Sequence, residues 1–116
     1  MSKYKAKPVT LDGHRFASQA EAARYGELKL LERAGKIADL TVHPRFQITV
    51  SGHKICIYEA DFWYTDLEQA RNCVEDVKGF LTPAYRLKKK LMLAVHGIEI
   101  VEIAAATLRS PRRSRR

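Results

Sequence analysis

Ile55-Cys56-Ile57-Tyr58-Glu59-Ala60-Asp61-Phe62-Trp63-Tyr64, followed after a polar link by Cys73-Val74-Glu75-Asp76-Val77-Lys78-Gly79, is the stretch that decides the fold of this chain. Both runs are rich in β-branched and aromatic residues and read as strands. At period two, Cys56, Tyr58, Ala60, Phe62 and Tyr64 form an apolar face, while Ile55, Ile57, Glu59, Asp61 and Trp63 form a mixed one. In the later run Val74, Asp76 and Lys78 share one face, and Cys73, Glu75 and Val77 the other. Asp61, Asp76 and Lys78 therefore stand in strands whose other residues are core formers. A buried charge is costly unless it is paired or bound to a metal. Breaches of local rules concentrate at functional sites, so the conflict marks this stretch for chemistry.

Phe46-Gln47-Ile48-Thr49-Val50 is a strand that the Ser51-Gly52 step joins to the 54–64 strand as a hairpin. The segment before it, residues 37–42, is punctuated by His43-Pro44. Further upstream, Ser18-Gln19-Ala20-Glu21 matches a capping box and opens a helix over residues 19–34 that Gly35 terminates. Glu21, Tyr25 and Leu28 share one face of that helix. A capping Glu needs no further role, so on spacing alone the cap is the simpler reading of Glu21. Residues 1–16 read as an extended basic arm with Lys3, Lys5, Lys7, His14 and Arg15, and with a turn at Asp12-Gly13.

Downstream, Thr82-Pro83 opens a second helix that ends at Gly97. Ala84, Leu87, Leu91, Ala94 and Val95 read as its buried stripe, with Tyr85, Arg86, Lys88, Lys89 and Lys90 over the remaining surface. Residues 98–103 alternate as a last strand. The order is helix, three strands, helix, strand: an α/β fold with an αβββαβ core. The first three strands are expected as an antiparallel meander. The helical crossover makes the last two strands parallel, which gives a four-stranded mixed sheet flanked by helices. The expected organisation is an arm over 1–16, one domain over 17–104, and a tail over 105–116.

The 116 residues carry a formal net charge of +8 and 46% hydrophobic residues, which suits one domain with a real core. Arg109, Arg112, Arg113, Arg115 and Arg116 crowd the end of the chain, as a solubilising tail or one that meets phosphate backbones. No apolar run approaches the ~20 residues of a membrane span. The first residues lack the apolar stretch of a secretory signal. Two cysteines are too few for a disulfide framework, so a reduced, cytoplasmic setting is expected.

If the two charged strands are neighbours, Asp61 and Asp76 come close, and two such carboxylates repel unless a cation neutralises them. All-oxygen ligation suits Mg²⁺ or Mn²⁺, and a two-carboxylate site of this kind suits phosphodiester cleavage. Lys78 would reach the same point to orient water or stabilise the phosphate. A plain salt bridge of Lys78 with either Asp is the competing reading. His53 and Cys56 lack a second pair to complete a zinc site, and His14, His43 and His96 are scattered.

These residues resemble the PD-(D/E)XK nuclease superfamily, in particular its small phage and prophage endonucleases related to Holliday-junction resolvases. The family motif is an acid on the second core strand, here Asp61, then Asp/Glu-X-Lys on the third, here Asp76-Val77-Lys78. The resemblance covers residues 14–103, with Ala60 where the family name has Pro and with Glu75 competing against Asp76. Strand parity favours Asp76. The resemblance implies a restriction-endonuclease-like fold. It also implies catalytic Glu21, Asp61, Asp76 and Lys78, and Mg²⁺ or Mn²⁺ held by Glu21, Asp61, Asp76 and the Val77 carbonyl. DNA would be gripped through its phosphates by Tyr85, Arg86, Lys88, Lys89, Arg112 and Arg113. A branched or four-way-junction substrate, a homodimer that cuts both strands, and a site of action in the host cytoplasm follow from the same likeness. The rival expectations are a non-catalytic nucleic-acid-binding protein with this fold and a phage accessory protein that binds a host protein.

Overall fold

The computed structural model describes residues 7–108. Lys3, Lys5 and the Arg-rich tail, with Arg112 and Arg113, lie outside them. From Val9 onward the segment expected as an extended arm is a hairpin, β1 (Val9–Leu11) and β2 (His14–Phe16), turned by Asp12 and Gly13 in left-handed conformations. Helix α1 (Gln19–Arg33) follows, and the Ser18 hydroxyl caps it by accepting from the Glu21 amide at 3.2 Å. The Glu21 carboxylate reaches back to the Ala17 amide at 3.3 Å, one residue before the N-cap amide that a capping box engages.

The strands are β3 (Ile37–Val42), β4 (Arg45–Val50), β5 (His53–Glu59), β6 (Phe62–Asp66), β7 (Arg71–Lys78) and β8 (Val101–Ala104). The main sheet is four-stranded and mixed, in the order β3-β6-β7-β8. β7 and β8 are parallel and the other neighbours antiparallel. Between β7 and β8 runs α2 (Pro83–Leu91), capped by Thr82 and extended by one π-helical turn over Met92–His96. Gly97, at φ 69, ends it in the left-handed conformation.

The expected meander differs in one respect that matters for the site. Residues 54–64 are not one strand, because the chain breaks at Ala60-Asp61 into β5 and β6. The opposite chain breaks in step at His43-Pro44, between β3 and β4. His43 stands at φ 56, a left-handed conformation, and Pro44 has no amide to donate. Two backbone bonds hold the pair through the bend: His43 N–H to the Asp61 carbonyl at 2.9 Å, and Ala60 N–H to the Pro44 carbonyl at 3.0 Å. The distal part, β4–β5, forms its own two-stranded ribbon. β3, rather than the 46–50 strand, borders β6 in the main sheet.

The core lies on both faces of the sheet. On the α1 face, Phe16, Tyr25, Leu28, Ile37, Phe62 and Val77 pack together. On the α2 face, Ile48, Tyr58, Ala60, Val74, Tyr85 and Met92 do so. Of the stripe expected to be buried on the second helix, Leu91 alone packs against the core. Tyr85 and Met92 face the sheet, while Ala84, Ala94 and Val95 are exposed and Leu87 is 59% exposed. Tyr85 sets this rotation, because its hydroxyl donates to Glu102 of β8 at 2.9 Å.

β7 carries Glu75 and Asp76 to opposite faces. Glu75, 1% exposed, lies on the α1 face. Arg24 grips it with two bonds, Nε to Oε1 at 2.8 Å and Nη2 to Oε2 at 2.7 Å, and the Tyr64 hydroxyl also donates to it. Removing one partner of such a pair strands the other charge. Arg24→Ala is expected to lower stability by about 3 kcal/mol or more. Urea unfolding of the variant measures the loss, and a change under ~1 kcal/mol contradicts this account of Glu75.

Candidate functional site

The bend creates the site. β6 leaves β7 at the Phe62–Glu75 pair, and the Asp61 amide donates once more, to the Glu75 carbonyl at 3.1 Å. Beyond that point β5 has turned away. The Val77 amide is satisfied instead by the Asp61 side chain, whose Oδ2 accepts it at 2.7 Å. A buried backbone donor needs a partner, and Asp61 supplies a charged one. Its carboxylate is thereby pinned where the sheet splits.

The first turn of α1 brings Glu21 to the same point, and the bend brings His43. One donor atom from each of Glu21, His43 and Asp61 lies within 4.8 Å of the others, and all three residues are partly exposed. The ring of His43 rests near that of Phe16, centroid to centroid 5.7 Å. Asp76 and Lys78 lie on the α2 face of β7. Asp76 is 3% exposed, accepts from the Tyr58 hydroxyl, and has the Lys78 ammonium at 3.9 Å. Lys78 Nζ sits over the Tyr85 ring, 3.9 Å from its centroid.

The charges of these groups act on one another. Burial pushes the Glu21 carboxyl up to about 7, the charges of Asp61 and Asp76 push the same way, and the Ala17 amide and Lys78 oppose them. Burial also raises Asp61, against the Val77 amide, Lys78 and His43. It lifts Asp76 to about 6, with Lys78 opposing and Glu102 adding to the rise. Three acids raised chiefly by burial, each opposed by the charge of one lysine, are short of the solvation a carboxylate prefers. A divalent cation would relieve that shortage. The donor set of carboxylates and an imidazole fits such an ion.

Of the four residues expected to be catalytic, Glu21 and Asp61 are thus brought together. Asp76 is not among the residues whose donor atoms meet there; it pairs with Lys78 on the α2 face of β7, and Lys78 shares a cleft with Glu21. A cleft of about 550 Å³ is lined by Glu21, Val77, Lys78, Gly79 and Lys7, among others. A second cleft of about 430 Å³, with Arg45, Tyr58, Tyr85 and Lys88, shares Lys78 as a wall.

The expected DNA-contacting surface divides. Tyr85 is largely buried under Lys78, in the wall of the second cleft. Lys88 donates to the Ile57 carbonyl of β5 at 3.3 Å, and Lys89 to Glu102 at 2.8 Å. Arg86 is exposed. Sequence reasoning passed over His43, Tyr58 and Arg24. His43 had one legible signal, its place at a Pro-marked break opposite the strand that carries Asp61.

A family model described as "Protein of unknown function (DUF1064)" matches residues 1–107. No curated protein and no solved structure matches the chain. No helix among the described residues is long and apolar enough to cross a membrane.

The raised acids make stability depend on pH in a definite direction. Folded Glu21 keeps its proton up to about 7, whereas the unfolded chain releases it near the ordinary value of 4.5. The contribution is therefore full below about 4.5 and is lost as pH rises through 7. With a chelator present, Glu21→Gln is expected to melt above wild type at pH 8 and level with it at pH 3.5 (roughly one unit beyond each limit). Thermal melts at both pH values check this, and equal midpoints at pH 8 contradict it.

Proposed function

The chain belongs to the DUF1064 family, and from the site it folds we propose that it is a divalent-metal-dependent DNA endonuclease of restriction-endonuclease-like, PD-(D/E)XK type. The observation that carries this reading is the meeting of Glu21 and Asp61 at the split in the sheet. Lys78, paired with Asp76 on β7, lines a cleft together with Glu21.

Glu21, Asp61 and Asp76, with the Val77 carbonyl, would hold Mg²⁺ or Mn²⁺. When bound, the ion supplies neutralisation of the scissile phosphate and a bound water of lowered pKa. The protein's own part is positioning. Asp61 is fixed by the Val77 amide and Glu21 by the first turn of α1. Lys78 is held between Asp76 and the Tyr85 ring, so its ammonium stands ready to orient the attacking water or donate to a phosphate oxygen. Arg45 and Lys88 line the adjoining cleft and offer sequence-independent contacts to phosphates. The net charge of +8 favours the same partner. A branched or junction substrate, a homodimer acting on both strands, and action in a phage-infected cytoplasm extend this reading by analogy.

One observation favours a second reading, a non-catalytic DNA-binding protein. Asp76 and Asp61 already accept bonds from Tyr58 and the Val77 amide. Cleavage of linear, flap and four-way-junction DNA with Mg²⁺ or Mn²⁺ separates the two. Asp76→Ala and Lys78→Ala are each expected to lower the cleavage rate by about a hundredfold or more. Both variants cutting like wild type rejects the site. A wild-type protein that binds DNA in a salt-sensitive way yet never cuts it supports the second reading.

A further inference from the structure

We infer that His43 is a nitrogen ligand of the metal centre. The centre is then a mixed imidazole–carboxylate site that takes Mn²⁺ in preference to Mg²⁺; this rests on reading the split in the sheet as a cation site.

Glu21, His43 and Asp61 are the residues whose donor atoms meet within 4.8 Å. They come from three separate places in the chain: a helix start and the two sides of a bent ribbon. His43 and Asp61 are tied to each other through their backbones, His43 N–H to the Asp61 carbonyl at 2.9 Å, so the two side chains start from a fixed pair of positions. The left-handed backbone of His43, followed by the buried Pro44, and the ring of Phe16 at 5.7 Å constrain where the imidazole points. All three residues keep contact with solvent, so an aqueous cation can enter.

Asp76 is placed differently. It is almost wholly buried and is met by the Tyr58 hydroxyl and the Lys78 ammonium. The donor set nearest to completion therefore contains a nitrogen. Mg²⁺ prefers oxygen ligands and parts with water reluctantly, and an imidazole adds little for it. Mn²⁺ accepts carboxylates but binds nitrogen donors more readily than Mg²⁺. An imidazole fixed beside two carboxylates therefore tilts selection toward Mn²⁺.

A His43 that merely packs beside the carboxylates makes a different prediction. No nitrogen would couple to the bound ion, and its removal would leave Mn²⁺ binding unchanged.

The test uses the full chain titrated with Mn²⁺ and read by pulsed electron paramagnetic resonance. Wild type is expected to show modulation from a directly bound imidazole nitrogen, shifted when the histidines are labelled with ¹⁵N. His43→Asn keeps a residue that tolerates the left-handed backbone. It is expected to lose the modulation and to bind Mn²⁺ roughly tenfold or more weakly, while Mg²⁺ affinity, read by competition, changes far less. Mn²⁺ bound without nitrogen modulation in wild type overturns the inference, whatever the variant does. So do modulation that survives in His43→Asn, unchanged or tighter Mn²⁺ binding by that variant, and failure of wild type to bind Mn²⁺. The two proposals fail separately. DNA cleavage in Mg²⁺ without nitrogen modulation sinks the His43 ligand alone, and nitrogen modulation without any cleavage sinks the endonuclease alone.

Discussion

The bond from the Val77 amide to the Asp61 carboxylate is the contact on which the rest of the architecture depends. A ribbon that bends out of a sheet leaves an amide on its former neighbour without a strand to pair with. Such a donor cannot be left bare in the interior at low cost. Asp61 answers it with a side chain at 2.7 Å and can do so because it sits at the break itself. The same bond fixes the carboxylate at the mouth of the opening, where the first turn of α1 and the ring of His43 also arrive. Structural satisfaction and the assembly of a charged site are one event here.

The energetics of β7 follow from that opening. Its two neighbouring acids are buried to similar degrees but treated differently. Glu75 receives a guanidinium in fork geometry and a phenol, the strongest pairing open to a carboxylate. Asp76 receives a phenol and an ammonium at 3.9 Å, a looser arrangement. A buried carboxylate with incomplete compensation is held toward its neutral form, as the rise of Asp76 to about 6 records. The fold thus completes one acid and leaves the other with capacity to spare, on the face where Lys78 and Tyr85 stand.

Much of this was legible in the sequence, for physical reasons that can be named. Period-two alternation separated Asp76 and Lys78 from Glu75, because a strand cannot place adjacent residues on one face. Helix caps at Ser18 and Thr82 and the stop at Gly97 are local chemistry and were read locally. The parallel pairing of β7 with β8 followed from the helix between them. The bend was not legible. Tyr58, Ala60 and Phe62 are all buried, so the apolar alternation runs through Ala60-Asp61 without a mark. His43 escaped for a related reason, since its importance comes from a partner strand and not from its neighbours in sequence. The second helix misled because Leu87 and Val95 fit an amphipathic stripe. The helix is instead turned by one buried phenol, Tyr85, and its bond to Glu102.

The placement of adjacent acids on opposite faces has a consequence for how β7 finds its alignment. A strand buried on both sides, with Cys73, Val74 and Val77 all in the interior, offers little apolar contrast between its faces. Hydrophobicity alone would tolerate a slip of one residue, which turns every side chain over. In β7 that slip would carry Lys78 off the Tyr85 ring and onto the α1 face, and would move Glu75 beneath α2, away from the Arg24 guanidinium. Charge, which ordinarily counts against a core strand, here serves as the key that admits a single alignment.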